Sequence, residues 1–360
     1  MNYNFSHQKH IPGGFMKKIR SIFTITILLT GIFLTLNCKI IDSVVKKERE
    51  NAERNRINTS DKKVNQALQE GIKAYNEKNY NLAIEKFNEG YNADPTYAGS
   101  APVFLNNKSL ALIGRGTAIY NNSVKSDEAT RKAAKESAKN DFEETVSSSE
   151  KALEILRNAA ATDENFQKNY ELNTILAFTN RKNAYRLTAQ TGADRTKGKE
   201  ALIVFQEYML VETDPAKKAK AQIELALTLQ DSDEFELAVT EFKKILANDP
   251  NNVDALAGAG LNLVNVGYTN ADSSKGKAQL KEATTYLQQY VDIAPETHKF
   301  KQEAIGIIES LKESEAQPSV AKKPFILRGK GNLYSERDQI NSNLNSSNQN
   351  STASIKNEEK

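Results

Sequence analysis

The chain has 360 residues, 39% hydrophobic and 26% charged, with one Cys, three His, no Trp and a formal charge of +3. A single Cys excludes an intrachain disulfide, and the Cys and His together are too few for a zinc site once the leader described below is set aside. The near-neutral charge also lacks the basic surplus of a nucleic-acid binder, so no nucleic-acid partner, metal or cofactor is expected.

The first element is a leader. Met16-Lys17-Lys18-Ile19-Arg20 is a short basic region, and Ser21 to Asn37 follows with no charge and many Ile, Leu, Phe and Thr. That is the layout of a secretory signal, and its 17 uncharged residues lie at the lower limit for a membrane-spanning helix. The run ends in Thr35-Leu36-Asn37-Cys38-Lys39. A lone Cys after an apolar stretch resembles a bacterial lipobox in the relaxed form of spirochaetes, with Leu34 one step early and Asn37 in place of a small residue. The resemblance implies that Cys38 is lipidated and becomes the mature N-terminus. An uncleaved anchor with an inert Cys is the alternative. Residues 1–15 do not fit a signal peptide, so translation is expected to start at Met16. Removing residues 1–37 takes away four of the 49 basic residues and none of the 46 acidic ones, leaving −1.

Residues 38–63 read as a lipidated tether. From Lys46 to Lys63, 11 of 18 residues are charged with both signs mixed, which keeps the segment solvated. From Val64 to Lys312 apolar residues recur at three- and four-residue steps, the period of helices. Residues 313–360 change character: Asn341–Ser354 holds five Asn and five Ser, too polar to offset the entropy of ordering, so this tail is expected to be disordered. Within it, Lys322-Lys-Pro-Phe-Ile-Leu-Arg-Gly-Lys330 is basic and apolar, a weak docking or membrane-surface motif.

The helical region repeats. Ala83, Phe87, Gly90 and Pro95 have the same spacing as Ala238, Phe242, Ile245 and Pro250, and as Ala283, Leu287, Tyr290 and Pro295. Ala152, Leu156, Ala159 and Glu164 match with Glu for Pro, and Ala201, Phe205 and Tyr208 reach Pro215 two residues late. Gly71 and Ala226 each stand 12 residues before their Ala, and Tyr80 and Phe235 three before it. Small residues let antiparallel helices approach, the aromatic fills the gap between units, and Pro ends the second helix. The pattern resembles the tetratricopeptide repeat, a helix–turn–helix unit of about 34 residues. The resemblance implies an all-α solenoid of about five repeats over 64–312 with a capping helix at 298–312, in which Ile305, Ile308 and Leu311 share a side.

Unequal intervals between stops place extra residues inside repeats. Thr191-Gly-Ala-Asp-Arg-Thr-Lys-Gly-Lys199 and Thr269-Asn-Ala-Asp-Ser-Ser-Lys-Gly-Lys277 are near copies, so the third and fifth repeats read as duplicates with a lengthened hairpin loop. These loops could mark a partner surface; the plainer reading is a turn started by Asp194 and Asp272 with Gly198 and Gly276 giving flexibility. No Gly or Pro interrupts Ser126–Glu164, where Phe142, Val146, Leu153, Leu156 and Ala160 keep one face, so a long second helix is expected.

A tetratricopeptide array implies protein or peptide binding along the first helices and no chemistry of its own. Asn173, Asn180 and Asn183 fall at i, i+7 and i+10 on one side of a first helix, and Asn262 and Asn265 behave similarly. A carboxamide can pair with a backbone N–H and C=O together, so these residues are candidate peptide contacts; the alternative is Asn used freely on any exposed face. Tyr75, Asn107, Arg115 and Tyr185 are further candidates. The cationic clamp some family members use for a carboxylate is absent, with Leu68, Ile72, Ile223 and Leu227 at the matching places. Gly114-Arg-Gly116 and Gly258-Ala-Gly260 sit inside helices, where they serve packing and not phosphate binding. His298 has no partner constellation, so catalysis is not expected. The expectation is a lipid-anchored scaffold of the bacterial envelope, at the outer membrane and with a role in envelope assembly. A surface lipoprotein that binds extracellular or host ligands is the alternative.

Overall fold

The computed structural model describes residues 60–159, 164–271, 273–298 and 300–316. The signal segment, Met16, Cys38, most of the tether, Asp272 and the tail beyond 316 lie outside the described residues. The chain divides at Lys63 and Val64 into two units; of the first, only the opening turn of a helix is described.

From Val64 the regular structure among the described residues of the second unit is all helical. The helices are α1 (Ser60–Asn76), α2 (Tyr80–Ala93), α3 (Ala101–Ser123), α4 (Glu128–Asn158), α5 (Glu164–Thr191), α6 (Gly198–Val211), α7 (Pro215–Asp231), α8 (Phe235–Asn248), α9 (Val253–Thr269), α10 (Ser274–Ile293) and α11 (Lys301–Ala316). They pair as five helix–turn–helix repeats followed by the cap α11. Each helix from α2 to α10 packs on the next, and the first helices α3, α5, α7 and α9 also pack on one another in sequence. This is a tetratricopeptide-like solenoid whose first helices line one face.

Local chemistry sets the boundaries. Asp127 and Asn252 accept hydrogen bonds from the backbone N–H three residues on, at 2.9 and 3.0 Å, which caps α4 and α9. Asp94, Asp249 and Ala294 close α2, α8 and α10, each followed by proline. Pro215 does the opposite. Asp214 caps α7 through Ala216 N at 2.8 Å and Pro215 is its first residue, so the late proline starts a helix, while α6 has already closed at Glu212. Lys78 and Asp233 adopt left-handed φ of 58° and 61° in the same position of the turns of repeats one and four. There Asn79 N and Glu234 N reach back to Ala74 O and Leu229 O at 2.8 and 2.9 Å.

Small residues facing aromatic rings join the helices, both within a repeat and between successive repeats. A Cβ on Gly71 would stand 2.4 Å from the Phe87 ring, one on Gly90 2.0 Å from Phe104, and one on Gly258 2.3 Å from Phe242. The rings are fully buried, so no side chain fits at these glycines. Gly114 and Gly116 meet Tyr80 and Phe142 in the same way, as the packing role predicts.

Beyond Pro215, three further features differ from the sequence expectation. α4 is the expected long second helix of 31 residues, but it ends at Asn158 and Glu164 opens α5. The two Lys-Gly-Lys loops are not built alike: the first runs through a 3-10 turn at Arg195–Lys197, whereas α10 already begins at Ser274. Gly198 and Gly276 are helical. Their missing Cβ admits Ser232 and Glu234 in one case and the Asn270 carbonyl in the other, so close approach and not flexibility explains them. Finally, His298 lies in the turn before α11, where Tyr290 Oη and His298 Nδ1 are 2.5 Å apart. Phe300, Ala304, Ile308 and Leu311 bury the cap against the array.

Candidate functional site

The face formed by the first helices is polar at its seams. Between α3 and α5, Asn106 Nδ2 donates to Asn173 O and Oδ1 at 3.0 and 3.1 Å, and Asn180 Nδ2 donates to Asn106 O at 3.1 Å. Between α7 and α9, Asn262 Nδ2 donates to Gln230 Oε1 at 2.8 Å, and within α9 it also donates to Gly258 O at 2.7 Å. Between α5 and α7, Lys182 pairs with Glu224. The Lys182 ammonium also lies 5.3 and 5.1 Å from the ring centroids of Phe205 and Tyr208 on α6. Burial pulls the Lys182 ammonium below the ordinary lysine range. Burial works against the Glu224 carboxylate too, but Lys182 and Arg186 outweigh it and hold Glu224 below the ordinary range.

Beside this pair, α5 and α7 frame a small, open recess of about 100 Å³ lined by Arg186, Gln190, Glu224, Leu227, Thr228 and Asp231. Its wall on α5 is Arg186 and Gln190, one turn apart and joined at 2.9 Å; its wall on α7 places Glu224, Leu227, Thr228 and Asp231 at i, i+3, i+4 and i+7. Thr228 is spent, its buried hydroxyl donating to Glu224 O at 2.7 Å, so what the recess offers a ligand is the edge of Leu227 with the charges of Arg186 and Asp231 and the carboxamide of Gln190 around it.

The residues expected from spacing divide. Asn173, Asn180 and Asn262 are buried, and their carboxamides bind neighbouring first helices within the fold, not an open groove; this corrects the reading of them as peptide contacts. Asn183 is buried as well, 8% exposed. Asn265 is half-buried on α9. Tyr75 is half-buried on α1, edge-on to Tyr80 with ring centroids 6.0 Å apart. Asn107 donates to its own helix at Val103 O, and Arg115 forks onto Asp141 at 3.0 and 2.6 Å while also meeting Asn81. Tyr185 donates to Glu200 at 2.9 Å, and burial with that carboxylate pushes its hydroxyl up to about 12. The recess itself was missed, although Lys182, Arg186 and Gln190 at four-residue steps carried its signal.

Among the described residues no group of three or more His, Cys, Asp and Glu could hold a metal ion, and no helix is long and apolar enough to cross a membrane.

No family model matches the chain, and no curated protein matches it. Among solved structures it is similar to the TPR2AB domain of yeast Sti1 in its pHSP90 complex, at 18% identity over 69% of this chain and 98% of that one, with a TM-score of 0.25. At that score the likeness carries no argument, and the repeat assignment stands on this chain's own packing.

Proposed function

We propose that the chain is a membrane-anchored scaffold of the bacterial envelope that holds an extended segment of a protein partner along its first helices. The observation that carries the reading is the recess between α5 and α7, where first helices of two successive repeats offer Leu227 framed by Arg186, Gln190 and Asp231. The anchor rests on the sequence: the chain's one thiol, Cys38, stands where the uncharged stretch ends. A diacyl anchor adds about 0.8 kcal/mol per buried CH₂.

Partner capture from crosslinked envelopes tests the binding reading. Gln190→Ala and Asp231→Ala, both partly exposed on the recess wall, are together expected to reduce recovery of the partner sharply while circular dichroism stays unchanged; undiminished recovery by the folded variant refutes it. Substituting Asn173 or Asn180 is uninformative, because it disturbs packing. Labelled palmitate should enter the wild type and not Cys38→Ala; equal labelling overturns the anchor. Protease added to intact cells separates a periplasmic scaffold, which resists, from a surface lipoprotein, which is cut.

A further inference from the structure

A second polar site lies away from the first-helix recess, where α4 passes the turn between α5 and α6. Gly192 in that turn has a φ of +64°, and its missing side chain leaves a point 3.5 Å from Lys135 Nζ, 3.7 Å from Arg195 Nε and 3.8 Å from Arg195 Nη2. Arg131, one turn before Lys135, belongs to the same row on α4. Lys139, one turn after, is neutralised by Asp194 at 3.2 Å. Arg195 is balanced by Asp233, which accepts from its Nη1 at 3.0 Å and leaves the Nε–Nη2 edge toward Lys135. Arg131 donates only to a carbonyl, Ser126 O, at 2.9 Å.

Lys135 is half-buried, and among the described residues no carboxylate lies within ion-pair distance of it. Burial lowers its pKa, and the charges acting on it, Arg195 and Arg131, lower it further. Cations crowded together without an acid are destabilised until an anion joins them. The free edge of a guanidinium grips two oxygens side by side, and an ammonium beside it takes a third. With Arg195 balanced by Asp233, the uncompensated charges are those of Lys135 and Arg131, which suits a dianion better than a carboxylate.

The geometry points to a phosphate-binding site over Gly192, formed by Lys135 and the Nε–Nη2 edge of Arg195 with Arg131 at its rim. The ligand chemistry is a phosphate dianion, either free or as the phosphomonoester of a lipid head group.

Calorimetry on the full chain with inorganic phosphate, sn-glycerol 3-phosphate and acetate tests it, with the Gly192 amide followed by NMR. At least one phosphate probe should bind and shift that amide, and Lys135→Gln should weaken binding about tenfold or more, the loss of a charge-assisted hydrogen bond. Arg195→Lys, which keeps charge but loses the fork, should weaken it too, whereas Lys132→Gln on the exposed side of α4 should not. Binding of glycerol 3-phosphate alone assigns the head-group source, and binding of both assigns the phosphate group itself. No binding by either, acetate bound as well as phosphate, or affinity unmoved by Lys135→Gln overturns the site.

Discussion

Gly258 stands where the smallest possible side chain would lie 2.3 Å from the ring of Phe242, itself fully buried. Gly258→Ala must therefore displace the ring or part α8 from α9, and should cost about 1–3 kcal/mol in urea unfolding. An unchanged midpoint would mean the junction yields. Lys182 makes a different kind of demand. Its ammonium is buried against Phe205 and Tyr208 and met by Glu224, so Lys182→Met should destabilise by about 3–5 kcal/mol by leaving a carboxylate uncompensated. Arg186 still faces that carboxylate and offsets part of the cost, and adding Glu224→Leu should restore most of the loss. The pH dependence has a definite sign. Glu224 binds its proton less readily folded than unfolded, so its contribution is complete above the ordinary carboxylate range and is lost as pH falls through the lowered folded value. The double variant should lack that component of acid sensitivity; an identical acid profile would contradict the assignment.

At the scale of elements, helix ends follow from short-range chemistry and helix partners do not. Asp214 followed by Pro215 caps and begins α7, and Asp214→Ala should cost about 1 kcal/mol of stability, measured by thermal unfolding. The repeat spacing was legible because each small residue and its aromatic lie within one or two helices of each other in the chain. The polar seams were not. Asn173 and Asn180 do share one side of α5, as their spacing requires, but a spacing names a side of a helix and not its neighbour. That neighbour is α3, some seventy residues earlier, and it takes both carboxamides. Pro215 misled for a related reason: proline halts one helix and opens another with the same ring, and only the cap at Asp214 says which. The recess was not legible because Lys182 and Glu224, 42 residues apart, meet only once α5 packs on α7 across two repeats.

For the whole array, the first helices form a continuous face held by polar seams, and α11 covers the last repeat. Ending the chain after Ala294 would uncover Tyr290 and Leu287, both fully buried, and should give an aggregating protein with a broadened unfolding transition. A sharp, soluble transition would show that the cap is dispensable. The outer side offers a rival surface, since Ile203 and Leu210 on α6 are exposed, Leu210 to 84%. The most direct test of partner binding sets these surfaces against each other, with a photo-crosslinking residue placed in turn at positions 190 and 210 of the anchored protein in cells. A partner crosslinked from position 190 and not from 210 is the expected result; a partner crosslinked from 210 alone would contradict binding along the first helices.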